Sequence, residues 1–122
     1  MKRDFDLIRK LLIFFEEKPG SEPVRKPEIA GYNDIEIMYH LLLLNDAGFL
    51  RCEPIKSTSS DRVIKVIPFE LTWDGHEFLD KIRSEEIWNK TKVTIKKKGV
   101  DLSFDTIRQV TSEVIKSILS TG

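Results

Sequence analysis

The sequence predicts a small α+β protein in which helices pack on one antiparallel β-hairpin, and three observations predict it. Apolar residues recur at three- and four-residue steps in separate segments, the mark of amphipathic helices. Two strand-like stretches, 49–55 and 63–71, are joined by the polar run Lys-Ser-Thr-Ser-Ser-Asp at 56–61. Helical segments lie on both sides of that hairpin in the chain, the order of an α+β fold.

In the first segment, 4–17, Phe5, Ile8, Leu12 and Phe15 fall on one side with Leu11 alongside, and Arg9, Lys10, Glu16 and Glu17 fall largely on the other. Pro19, Gly20, Pro23 and Pro27 then bar a long helix until about Tyr32, because proline removes a donor and pushes its predecessor towards extended backbone. A short strand over 25–29 is expected there. Asn33 reads as an N-cap with Glu36 three residues on, opening a helix over 34–46 in which Ile35, Met38, Leu41, Leu42 and Asn45 follow at three- and four-residue steps before Gly48 ends it. In the hairpin, Ile67, Phe69 and Leu71 share one side, and Pro68, which cannot donate to a ladder, belongs at an edge or beside a bulge. Thr72 caps a third helix through Phe78, Leu79 and Ile82. Trp88, Thr91 and Ile95 are out of phase with that set, so a break is expected over 84–86. Ser103 caps a last helix whose stripe is Phe104, Ile107, Val110, Val114, Ile118 and Leu119.

Helix, helix, Gly-aliphatic turn, hairpin and helix is the order of a winged helix, with one extra helix at the C-terminal end. The domain reading is a winged-helix-like domain over 1–99 and a C-terminal helix over 100–122, packed on the same domain or on a partner chain. Its 122 residues fit one domain, with 20 Lys and Arg balancing 20 Asp and Glu at zero net charge. No apolar run approaches the roughly 18–20 residues that span a bilayer, so no membrane partner is expected. A lone Cys52 forms no internal disulfide and fits a reducing cytoplasm.

Three segments carry a resemblance beyond fold order: MKRDFDLIRKLL (1–12), GYNDIEIMYHLLLLNDAGFL (31–50) and LTWDGHEFLDKIRSEEIWNKTK (71–92). Together they resemble a small family of uncharacterised winged-helix-like proteins of bacteria and their prophages, most specifically in LTWDGHEFLD followed by IWNKTK. The resemblance spans about the first hundred residues. It implies a winged-helix-like fold and a phage-associated or accessory bacterial setting, and it supplies no activity and no catalytic residue.

Charge is uneven: 34–46 holds Asp34, Glu36 and Asp46 with no Lys or Arg, whereas Lys90, Lys92, Lys96, Lys97 and Lys98 meet no acid between Trp88 and Val100. A helix of net charge minus three at the recognition position repels a duplex whose non-specific affinity comes from phosphate neutralisation. The lysine cluster, with Arg62 and Lys65 of the wing, is therefore the candidate nucleic-acid contact. Lysines on the solvated face of an ordinary amphipathic helix are the simpler reading of the same residues.

His76, Glu77 and Asp80 echo a helical zinc signature, but Asp stands where the second histidine belongs and no third ligand is evident, so no metal is expected. Glu36 and His40, one turn apart, read as an intrahelical pair. No Gly-rich phosphate loop or nucleophile elbow appears, and Cys52 reads as a small buried hydrophobe. No cofactor and no enzymatic activity are expected.

The last helix is the candidate partner surface, through Phe104, Ile107, Val114 and Ile118, with Trp88 as an anchor. It docks on another protein, on its equivalent in a homodimer, or on the chain's own first helix. The function expected is a cytoplasmic, non-enzymatic binding module, with protein as the first partner class and DNA as the alternative.

Overall fold

The computed structural model describes residues 1–121. In chain order these form α1 (Phe5–Glu16), α2 (Asp34–Asp46), β1 (Leu50–Lys56), β2 (Val63–Leu71), α3 (Trp73–Ile82), α4 (Glu85–Lys97) and α5 (Phe104–Thr121). Among the described residues the architecture is thus α+β, five helices and one two-stranded antiparallel sheet. The chain divides into two compact units, Met1–His76 and Glu77–Gly122, so the division falls inside α3 and groups α4 with α5.

Capping explains where the helices begin and end. The Asp4 side chain accepts from the Leu7 amide at 3.1 Å and opens α1. Asn33 and Glu36 form a reciprocal capping box at α2, the side chain of each accepting from the other's backbone N–H at 2.8 and 3.2 Å. Gly48 ends α2 at φ 76°: its amide bonds Asn45 O at 3.1 Å and the Phe49 amide bonds Leu44 O at 3.0 Å, the paired bonds of a left-handed C-terminal cap. Thr72 Oγ1 accepts from Gly75 N at 3.1 Å to open α3. Ser84 then caps α4 through Ile87 N, which places the expected break between α3 and α4.

In the hairpin Leu50 pairs with Leu71 and Arg51 with Glu70, but Cys52 pairs with Pro68, so the register shifts and a bulge falls at Phe69. Pro68 therefore sits beside a bulge, where its missing donor costs no ladder bond. The proline-rich stretch after α1 does not form the expected strand over 25–29. It makes one sheet-like bond instead, the Val24 amide to Pro68 O at 3.0 Å, because Pro23 and Pro27 remove the donors a longer ladder needs.

The core of the first unit is Leu7, Leu11, Leu12 and Phe15 of α1, Ile37, Leu41 and Leu44 of α2, and Leu50, Val66 and Leu71 of the hairpin, all buried. His40 links α1 to α2. Its Nε2 accepts from the Asp4 amide and its Nδ1 donates to Glu36 O, both at 2.8 Å, the tautomer that satisfies both partners. The expected Glu36–His40 side-chain pair is thus replaced by a backbone bond, since the Glu36 carboxylate is engaged at Asn33. Gly75 lies where a Cβ would come within 2.1 Å of the Phe49 carbonyl oxygen, so the start of α3 approaches the hairpin's base at a distance that only glycine permits.

In the second unit α4 packs on α5. The first buries Trp88, Thr91 and Ile95, and the second buries Ile107, Val110 and Thr111. The Phe78 and Phe104 rings meet at 4.8 Å. Thr111 Oγ1 donates to Ile107 O at 2.8 Å, whereas the buried Thr91 Oγ1 has no hydrogen-bond partner.

Candidate interaction groove

The residues singled out by sequence fall into two sets with different fates. Trp88 and Ile107 are 2% and 0% exposed, so they are buried and present no surface to a partner. Within its own unit α5 packs on α4. Phe104 is half-buried, its ring against Phe78 and beneath the Arg108 guanidinium. Val114 is half-buried and Ile118 open to solvent, followed by Leu119 at 74% exposure. The stripe of α5 is thus covered in its first half and progressively bare towards its end.

The lysine cluster is placed on α4 and its C-cap. Lys90 pairs with Glu86 at 3.1 Å, Lys98 with Glu113 at 3.5 Å, and the Lys92 ammonium sits over the Trp88 ring at 5.4 Å. Lys96 and Lys97 extend into solvent in the last turn, where cations complement the helix dipole. Arg62 and Lys65 are exposed on the hairpin, in the other compact unit.

The His76, Glu77 and Asp80 set named from sequence does not gather into a centre. His76 and Glu77 are exposed, and Asp80 is held by Arg83 at 2.6 Å. Among the described residues no group of three His, Cys, Asp or Glu side chains is placed to hold a metal ion. Burial pushes the Cys52 thiol up to about 11, which keeps it protonated and weakly nucleophilic at neutral pH. No described helix is long and apolar enough to cross a membrane.

The feature that sequence reasoning missed lies along α2. This helix buries Ile37, Leu41 and Leu44 in the core, yet it also carries Ile35, Met38 and Leu42 on a second side, at i, i+3 and i+7. Those three, with Ile55, Ile64 and Val66 of the hairpin, line a groove of about 610 Å³. Ile35 is 73% and Ile64 50% exposed, beside an exposed Met1. The stripe expected from sequence, Ile35, Met38, Leu41 and Leu42, is thus buried only at Leu41, because α2 is apolar on more than one face and the core takes the side of Ile37, Leu41 and Leu44. At the groove's edge stand Arg25, Lys26, Asp34 and Lys65. Asp34 pairs with Lys26 at 2.9 Å, and this hydrogen-bonded carboxylate raises the Lys26 ammonium above its ordinary value.

Residues 2–101 match the family described as hypothetical protein (DUF2513). The chain is 38% identical over 121 residues to an uncharacterized protein of Haemophilus influenzae, an alignment covering 98% of this chain and the whole of that relative. No solved structure matches the chain. The family match runs through the α2 groove and the lysine-bearing α4 and stops short of α5, and on its extent the chain belongs to the DUF2513 family.

Proposed function

We propose that the Met1–His76 unit is a protein-interaction module of winged-helix type that works without enzymatic chemistry. The observation that carries this reading is the apolar groove between α2 and the hairpin. Ile35 and Ile64 are exposed and Met38, Leu42 and Ile55 half-buried around it, so the apolar surface they leave in water is covered only when another apolar surface docks there, and such a patch marks an interaction site. The winged-helix assignment is supported by element order and by the Val24–Pro68 bond, which stands where a third strand would pair with β2. In that fold α2 occupies the recognition position, and its three acids and absent bases suit a protein partner better than phosphate. The phage or prophage setting rests on the resemblance of the three quoted segments, and a cytoplasmic location on the single cysteine.

A second reading, DNA contact through Lys90, Lys92, Lys96, Lys97 and Lys98, is favoured by the exposed Lys96 and Lys97. One pair of measurements separates the two. Random peptides displayed and selected on the intact protein are expected to converge on apolar sequences whose binding is lost in Leu42→Asp, with the variant's fold checked by circular dichroism. A random-sequence duplex titrated by fluorescence anisotropy is expected to bind no more tightly to the wild type than to the Lys96→Ala, Lys97→Ala, Lys98→Ala triple variant. Failure of the peptides to converge, together with duplex binding that falls steeply with salt and falls again in the triple variant, overturns the protein reading in favour of DNA.

A further inference from the structure

We infer that the occupant of the α2 groove is a helical segment of a partner protein, apolar along one face and acidic on its flanks. The inference rests on the groove being a protein-binding site and specifies what fills it.

Two observations carry it. Ile35, Met38 and Leu42, at i, i+3 and i+7, form a ridge with helical spacing, and the hairpin's Ile55 and Ile64 stand across from it. A second helix packs into such a surface by laying its own stripe between the ridges, the mode in which helical partners fill grooves. Met38 adds an unbranched thioether that adapts its shape to the incoming side chains. A volume of about 610 Å³ is of the size that takes a few apolar anchors.

The second observation is the charge of the edge. Lys26 and Asp34 neutralise each other at 2.9 Å. Arg25 and Lys65 are exposed at the groove, and neither is paired with an acid among the described residues. The groove therefore presents an apolar floor with a net positive edge, although the chain as a whole is neutral and α2 itself is acidic. A basic or neutral helix satisfies the floor alone, while carboxylates flanking the stripe satisfy both floor and edge. Such edge charges act on selectivity and association rate, and salt screens them.

The test uses the full chain and two labelled synthetic helical peptides that share one leucine stripe and differ only in their flanks, Glu in one and Lys in the other. At low salt the Glu peptide is expected to bind about tenfold more tightly, with the gap closing as salt is raised. In the Arg25→Glu, Lys65→Glu double variant, both changes being at exposed positions, the preference is expected to reverse while the thermal transition stays in place. Equal binding of the two peptides, unchanged in the double variant, overturns the acidic occupant and leaves the groove as a protein site. Binding of neither peptide overturns the inference as well, and the protein reading then stands or falls on the display selection.

Discussion

Two helices of equal length, α2 and α4, each 13 residues, spend their apolar side chains in opposite ways. In α4 the apolar set is narrow. Trp88, Thr91 and Ile95 are buried, and the rest of the surface is mostly charged, with Glu85, Glu86 and the lysines. In α2 the apolar set wraps the helix. Ile37, Leu41 and Leu44 are buried while Ile35, Met38 and Leu42 line an open groove. The difference teaches where surplus hydrophobicity sits. Folding buries Trp88, Thr91 and Ile95 of α4 and leaves Val93 exposed among the lysines, whereas on α2 it leaves Ile35 exposed and Met38 and Leu42 half-buried beside an open groove. Charge drew attention to α4, and apolar excess marks α2.

The contrast breaks first, if it breaks, at Trp88. Replacing this buried indole should cost about 3–5 kcal/mol, read as a fall in the chemical-denaturation midpoint. A wild-type midpoint for Trp88→Ala would mean that α4's stripe lies outside the core and would return Trp88 to the candidate partner surface. Gly75→Ala comes next, at about 1–3 kcal/mol, because the new Cβ meets the Phe49 carbonyl oxygen at 2.1 Å, a backbone atom that cannot swing aside. It should weaken the hairpin's base on which the groove depends, and hydrogen exchange at the amides of Phe49 and Thr72 should speed up. An unchanged exchange pattern would show that α3 begins elsewhere.

The smallest effect sharpens the comparison most. Ile35→Asn on α2 and the Lys96→Ala, Lys97→Ala, Lys98→Ala variant on α4 should each change stability by less than about 0.5 kcal/mol, since these positions are exposed. Their effects on binding should diverge, with Ile35→Asn losing the selected peptides and the lysine variant keeping them. Loss of cooperative unfolding in the lysine variant would mean that those side chains support the α4–α5 pair.

Local chemistry accounts for most of what could be read in advance. Asn33, Thr72 and Ser103, the caps expected from sequence, each accept from a backbone N–H three residues on, an interaction that needs only neighbours in the chain, and Asp4 and Ser84 cap their helices in the same way. The phase change between Ile82 and Trp88 marked the α3–α4 break for the same reason: a straight helix cannot turn both sets to one side. The expected strand over 25–29 failed because strand formation depends on ladder donors across the sheet, and Pro23 and Pro27 have none to offer.

By itself, then, the sequence determined the helices, the hairpin, the placing of Pro68 at an edge or beside a bulge, and the absence of basic residues along α2, because capping, side-chain periodicity and proline's missing donor act over a few residues. Only the tertiary structure decided that α5 pairs with α4, that Trp88 and Ile107 are interior, and that Ile35, Met38 and Leu42 meet Ile55 and Ile64 across an open groove. An apolar stripe states that a face must be covered and says nothing of what covers it. The hydrophobic effect has no direction, and the partner of each stripe is chosen by the three-dimensional packing of the whole chain.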